Sequence, residues 1–367
     1  QWHHQRDVWV SIRDYQNFGS EGIDRTWNTN GGTLNGEEFN LRRNFYNKPL
    51  ATLNWDWDIS DNIQLNTSLY GSAGRGGGTG PRGRSYYEGS IDMLPFRKDL
   101  TEHYLEDGRG TRNADGTINY DAVVSHNSQY PVGSNNDSSY ARDILVRRAS
   151  MNSHNWVGAI SKLNIQSGKM RYSLGVDLRN YTGYHYRAMN NLMGLQQYAS
   201  TGNDNLPTQL IGAGDLVVAK PFQGTNIGDD EAKIDFYNIG FVKWAGFNGL
   251  VEYAGDKITA VLQVGVSNQQ FQREDRFNNI DNPISDKANQ GGGYLKTGIN
   301  YNFTEKSNVF VNAGSIDRQP LFNAVFPNFG NDINPDLQNE RIESVSYTHL
   351  RAHETDSYLV CRLLLEK

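Results

Sequence analysis

Cysteine is nearly missing: Cys361 is alone in 367 residues, which excludes a disulfide scaffold and any cysteine-rich zinc or iron–sulfur centre. Positive charge is not in excess either. Lys and Arg number 35 against 41 Asp and Glu, a net charge of −6, which speaks against a nucleic-acid partner held on a basic surface. No apolar run approaches the roughly 18 residues of a membrane helix, and the mean hydropathy is −0.67. That excludes a helical span and nothing more, because a transmembrane β-barrel hides its lipid-facing surface in alternation. Prolines number only 10, against 38 Gly, 20 Tyr, 15 Phe and 7 Trp. Such a balance favours strands and turns over helices. The length by itself suggests one large domain or two to three average ones.

What is present is period-two alternation. Ile63, Leu65, Thr67 and Leu69 alternate with Gln64, Asn66, Ser68 and Tyr70. Met170 to Arg179, Ile258 to Ser267 and Leu295 to Phe303 repeat the pattern, with Val261 the one apolar residue on a polar face. Successive strand side chains face opposite sides, so each run has one apolar and one polar face. Each run pairs with a neighbour across a tight polar turn, at 59–62, 166–169, 254–257 and 304–307. The partners are Leu53–Asp58, Trp156–Ile165, Phe247–Tyr253 and Asn308–Ser315, making four hairpins and about eight strands. The connections between hairpins, 71–154, 182–245 and 268–290, are long and polar. Structureless connections of that length count against strands in an ordinary soluble domain. Short turns alternating with long loops are the plan of an outer-membrane barrel, whose tilted strands need about 9–11 residues to cross.

Charge and aromatic placement point the same way. The apolar faces carry no charge, whereas Arg171, Asp177, Arg179 and Lys296 all stand on polar faces. A charge facing lipid at the midplane costs about 2–4 kcal/mol, and one facing a wet lumen costs little. Trp55, Trp57, Tyr172, Tyr253, Tyr301 and Phe303 gather near the short turns, as in an interfacial girdle. A soluble antiparallel sandwich would explain the strands but not the loops.

Motifs of soluble enzymes are missing. The run Gly74-Arg75-Gly76-Gly77-Gly78-Thr79-Gly80 lacks the Gly-Lys-Ser/Thr end of a phosphate loop, and reads as a flexible loop mouth after the Ile63–Gly71 strand. Arg75, Arg82 and Arg84 could face an anionic ligand in that mouth. His3, His4, His103, His126, His154 and His185 show no metal-ligand spacing, and Asp229-Asp230-Glu231 lacks an EF-hand pattern. No Gly-x-Ser-x-Gly elbow occurs. Neither a metal, a cofactor nor a catalytic residue is expected.

From Val345 the texture changes. The stretch 345–367 resembles translated sequencing-adapter read-through, with Val345 to Thr355 matching a transposase end and primer, and Leu359 to Lys367 the following adapter. It is expected to be a non-native tail and is set aside from the fold. Cys361, His349 and His353 go with it.

The stretch from Val309-Phe310-Val311-Asn312-Ala313-Gly314-Ser315 through Arg318-Gln319-Pro320 to Asn334-Pro335-Asp336-Leu337-Gln338-Asn339-Glu340 resembles the barrel of TonB-dependent outer-membrane receptors. There a strand leads to an Arg-x-Pro element, a loop, and an Asn-Pro-x-Leu-x-x-Glu motif entering the next strand. Arg318, Pro320, Asn334, Pro335, Leu337 and Glu340 carry that match, and Asn339 stands where the family often has Pro. Looser similarity covers 48–83, 152–186 and 238–273, and is to the branch whose members often carry a carboxypeptidase-like regulatory domain.

The resemblance implies an all-β fold: a partial antiparallel transmembrane β-barrel out of about 22 strands, plugged by an N-terminal domain. It implies energy-coupled uptake of a scarce nutrient (siderophore, glycan, peptide or vitamin) across the outer membrane of a Gram-negative bacterium. The implied partners are outer-membrane lipid and the TonB–ExbB–ExbD system, which acts through the plug. Residues 1–49 are expected to be the plug-to-barrel junction or first barrel segment, and 50–344 the barrel. The chain is expected to be an internal fragment of a receptor. Ligand contacts are expected at loop tips and at the lumen-facing Arg171, Asp177, Arg179 and Asn300. A porin or adhesin without TonB coupling, and a secreted carbohydrate-binding β-sandwich, are the alternatives.

Overall fold

Alternation becomes a ladder. The computed structural model describes residues 2–4, 31–83, 85–87, 90–92, 113, 117–136, 144–203, 205–217, 232–304 and 307–351. Its main sheet has 11 strands. They are β1 (Trp2–His4), β2 (Arg43–Asn47), β3 (Leu50–Ser60), β4 (Ile63–Gly83), β5 (Leu145–Ser167) and β6 (Met170–Asn191). Then come β7 (Lys233–Ala254), β8 (Ile258–Asp275), β9 (Ala288–Thr304), β10 (Ser307–Arg318) and β11 (Glu340–Arg351). From β4 onward each strand pairs antiparallel with the next in sequence. β2 and β3 lie end to end along β4, interrupted at Lys48-Pro49, where proline has no N–H to give the ladder. The two edges, β1 and β11, do not pair, so the barrel-like sheet is open.

All four tight turns stand where the sequence puts them, with Ser60 opposite Ile63, Ser167 opposite Met170, Ala254 opposite Thr259 and Thr304 opposite Ser307. A cross-turn pair, Lys169 Nζ to Asp256 at 3.1 Å, ties two of these turns together. The Asp256 carboxylate holds the Lys169 ammonium above its usual pKa.

The sheet near these turns is two-faced. Leu65, Leu163, Leu174, Gly249, Val264 and Leu295 stand in one row across β4 to β9. Ile63, Ile165, Tyr172, Val251 and Leu262 form the row beside it. This face is uncovered, with Leu53 and Val266 both 65% exposed. From the turns up to the row Leu69, Ala159, Leu178, Ala245 it carries no charge on β3 to β9. The span from Met170 to Leu178 rises about 26 Å, at about 3.3 Å per residue. A monomer rarely leaves an apolar surface of that extent facing water. The opposite face carries Gln64, Asn164, Ser173, Leu250, Gln263 and Lys296 in one row, polar except at Leu250, and Ser173 Oγ donates to Asn164 Oδ1 at 2.6 Å.

Three expectations need correction. The strands are much longer than 9–11 residues: β5 has 23 and β6 has 22, roughly 70 Å of ladder. The intervening connections shrink to 84–144, 192–232 and 276–287. The reason is that strict alternation stops where both faces become polar or covered, while backbone pairing continues. On the far half, the face that was apolar and bare becomes a core of Met151, Tyr186, Tyr237 and Ile239, packed with Phe45, Val217 and Phe277.

The glycine run is likewise no loop. Gly74 to Gly80 lies inside β4, paired with β5 on one side and β2 on the other. Glycine is used there for close approach: a Cβ at Gly76 would fall 2.0 Å from Tyr46 Cδ1. Arg75 and Arg82 are therefore strand residues, and Arg84 lies outside the described residues.

The segment from Val345, set aside above, enters the sheet as far as Arg351 on the edge of β10. Edge pairing is made by backbone groups and accepts nearly any extended sequence, and Val345 and Tyr347 stay 74% and 79% exposed.

Candidate functional site

Five aromatic side chains, Tyr70, Trp156, Tyr181, Trp244 and Phe271, sit on the polar face just beyond the charge-free band. One row reads Tyr70, Gly158, Arg179, Trp244, Gln269 across β4 to β8, and the next reads Ser72, Trp156, Tyr181, Val242, Phe271. Gly158 makes room for the Tyr70 ring, since a Cβ there would lie 2.3 Å from its Cζ. The Tyr70 and Trp156 rings then meet edge to face at 5.3 Å. His154 stacks on Tyr181 at 5.9 Å, with 26° between planes. The Arg179 guanidinium lies 5.7 Å from the Trp156 ring, while its Nε donates to the Tyr70 hydroxyl at 3.2 Å. Asp177 completes the group, 3.7 Å from Arg179.

All of this group but Tyr70 and Phe271 line two adjoining grooves that share Trp244. One, of about 410 Å³, lies among His154, Trp156, Arg179, Tyr181 and Gln269. The other, of about 320 Å³, lies among Asp177, Asn248, Ser267, Tyr294 and Gln319. Three polar atoms along them are buried without a hydrogen-bond partner: Trp156 Nε1, Trp244 Nε1 and Asp177 Oδ1. Buried donors and acceptors left open cost stability, and open groups at a groove wall are what a bound solute can satisfy. Ring faces with a few fixed donors and one ion pair suit a ligand with both flat or apolar surface and hydroxyl or carbonyl groups.

Of the four lumen residues expected from sequence, the structure brings two here. Asp177 and Arg179 belong to the grooves, whereas Arg171 stands toward the short turns, paired with Glu252 across β6 and β7. Asn300 is also near a turn, accepting from Asn308 and donating to Asn302, both at 2.9 Å. Tyr70, Trp156, Tyr181 and Trp244 were not singled out. The available signal was parity: all four stand on the polar side of their strands, where lipid cannot be the reason for an aromatic ring.

The motif residues do structural work. Arg318 and Glu340 face each other across β10 and β11 at 3.2 Å. Between them Asn334 closes the loop, its N–H donating to Val325 O at 2.9 Å and its side chain to Ala324 O at 3.2 Å. Pro335 occupies the turn that follows, capped by Asp336 N–H on Asn334 Oδ1 at 3.0 Å. Leu337 packs on the cluster of Phe271, Ala288, Val325 and Phe326. Pro320 follows Gln319, whose Nε2 donates to Ser267 Oγ at 2.7 Å. Because Arg318 and Glu340 are both more than half exposed, Arg318→Ala is expected to change unfolding free energy by at most about 1 kcal/mol in a denaturant titration.

Among the described residues no three His, Cys, Asp or Glu side chains gather as metal ligands, and Asp229-Asp230-Glu231 lies outside them. No protein-family model matches the chain, and no curated relative does. Similar solved structures include the copper transporter OprC, at 8% identity and TM-score 0.46, with 86% of this chain and 38% of that one covered. Another is the ferric-catecholate import receptor Fiu from K12 E. coli, at 10% identity and TM-score 0.48, with 95% and 44% covered. A third is BauA, the ferric preacinetobactin receptor from Acinetobacter baumannii, at 10% identity and TM-score 0.38, with 83% and 35% covered. The chain thus spans less than half the length of each.

Proposed function

We propose that the chain is part of a TonB-dependent outer-membrane receptor of a Gram-negative bacterium, a transporter and not an enzyme. One observation carries the reading. An uncovered, charge-free apolar band and a polar, groove-bearing surface are the two faces of one meander. The band would face outer-membrane lipid and the grooves the lumen. The solute is a scarce nutrient (a siderophore, glycan, peptide or vitamin) met by the aromatic rings together with Asp177 and Arg179. TonB–ExbB–ExbD would act through a plug domain, residues 1–49 would join or begin the barrel, 50–344 would build it, and 345–367 would be a non-native tail. Closure of the barrel then falls to strands added at the open edges.

The test uses the product of the complete gene. It is expected in the outer-membrane fraction, soluble only with detergent, and with accumulation of its solute lost when the proton gradient is collapsed. A monomer soluble without detergent overturns the barrel. Uptake indifferent to the gradient leaves a porin and removes the TonB coupling.

A further inference from the structure

Farther along the same polar face, beyond the aromatic grooves, guanidinium groups converge. By strand parity Arg82 on β4, Arg148 on β5 and Arg187 on β6 stand on the face that carries Arg179. The partner strand is broken opposite them. Tyr186 pairs with Tyr237 but Arg187 pairs with Ile234, so Asp235 and Phe236 form a bulge in β7. Asp235 there takes φ +65°, a left-handed conformation that non-glycine residues seldom adopt. Bulges of this kind re-aim side chains, and this one turns a carboxylate onto the arginines. Asp235 Oδ2 accepts from Arg187 Nη1 at 2.8 Å and also from Arg82 Nη1. Phe236 lies under the Arg187 guanidinium at 5.1 Å.

Charge does not balance at the bulge. The guanidiniums of Arg82, Arg148 and Arg187, with Arg42 close enough to act on Arg148, meet the single carboxylate of Asp235, so positive charge is in excess among the described residues. Arg148 bonds only to neutral oxygens, Ser150 Oγ at 3.0 Å and Gly78 O at 3.5 Å. The Arg187 Nε is buried without a hydrogen-bond partner. Burial, then the guanidiniums of Arg187, Arg42 and Arg82, hold the Arg148 pKa down to about 10, with Asp235 opposing. Like charges kept together at such a cost need an occupant.

We propose that Arg82, Arg148 and Arg187 around the Asp235 bulge form an oxyanion site for a phosphate-sized dianionic group on a solute, separate from the aromatic grooves. The excess of positive charge suits a dianion, and planar guanidiniums present paired donors to its oxygens. Asp235 holds the arginines in place and competes with the anion for them. The site rests on the geometry of the sheet and not on the transport reading.

Inorganic phosphate is the probe, titrated calorimetrically into the product of the complete gene, with chloride at matched ionic strength as control. Phosphate is expected to bind and to raise the melting temperature above the chloride control. Arg148→Gln and Arg187→Gln should each weaken it about tenfold or more. Asp235→Asn should tighten it several-fold, a gain that a purely structural ion cluster would not show. Arg148 makes no ion pair with Asp235, so its variant keeps the test open if Arg187→Gln fails to fold. Equal phosphate affinity in wild type, Arg148→Gln and Asp235→Asn, or a melting shift no larger than with chloride, overturns the site.

Discussion

An arginine in place of Leu174 is expected to cost the assembled protein about 2–4 kcal/mol, the depth-dependent penalty for a charge facing lipid near the midplane. Leu174 sits in the middle of the charge-free band, between Leu163 and Gly249, and is 45% exposed. In a water-facing sheet the same change would be almost free, since surface substitutions usually fall within about 0.5 kcal/mol. The matched control is Gln263→Arg, one row away on β8 but on the opposite face, beside Lys296. The measurement is reversible urea unfolding of the complete-gene product in lipid vesicles, read by heat-shiftable migration. If Leu174→Arg proves as harmless as Gln263→Arg, the apolar band does not meet hydrocarbon and the membrane reading is lost.

That band is also where the sequence was most legible. A strand with an apolar face on one side and a polar face on the other must alternate, so Ile63 to Leu69 and Met170 to Arg179 announce both the strand and its face. The turns were equally plain, because a two- or three-residue reversal admits few residue types. Beyond the band the same strands fall silent. Tyr184 and Tyr186 on β6 share the face of Leu178, but what they pack against is Phe45, Val217 and Phe277, contributed from other parts of the chain. No local pattern can encode partners that lie on other segments of the chain. The glycine run misled for a related reason. Its composition says turn, and only neighbouring groups such as the side chains of Tyr46, Met151, Asn44 and His154 explain why a strand there is so rich in glycine.

The candidate site was half legible. Asp177 and Arg179 stand out because charges on an alternating strand mark the wet face. Trp156 and Trp244 did not, since an aromatic residue in a strand is ordinarily read as lipid-facing or core. Their meaning depends on register, Arg179 being opposite both Gly158 and Trp244. The Asp235 bulge was invisible, because two extra residues in one strand change no composition and only displace a pairing.

Truncating Phe271 is expected to have the largest effect of all, about 3–5 kcal/mol, but on one region only. The ring is fully buried and joins Ala288, Val325 and Phe326, with Phe322, Ile333 and Leu337 packed around them. Phe271 projects from the polar face, in the row of Trp156 and Tyr181, so the 319–339 loop folds back over that face rather than standing away from the sheet. Its first residue, Gln319, is part of the groove wall. The backbone of β8 stays paired on both sides, through Val242 and Ala288, whatever the side chain at 271. Phe271→Ala should therefore release the loop and leave the meander intact, a local opening rather than global unfolding. Hydrogen exchange resolves the two: the amides of Val325, Phe326, Gly330 and Asn334 should lose protection, while those of Leu174 and Val264 keep theirs. Uniform loss across the sheet, or protection of the loop unchanged, would show that Phe271 is not its anchor. With the anchor gone and Arg318–Glu340 still in place, solute affinity should fall along with loop protection. The aromatic core under the loop, and not the exposed ion pair at its base, is then what keeps that wall of the groove in position.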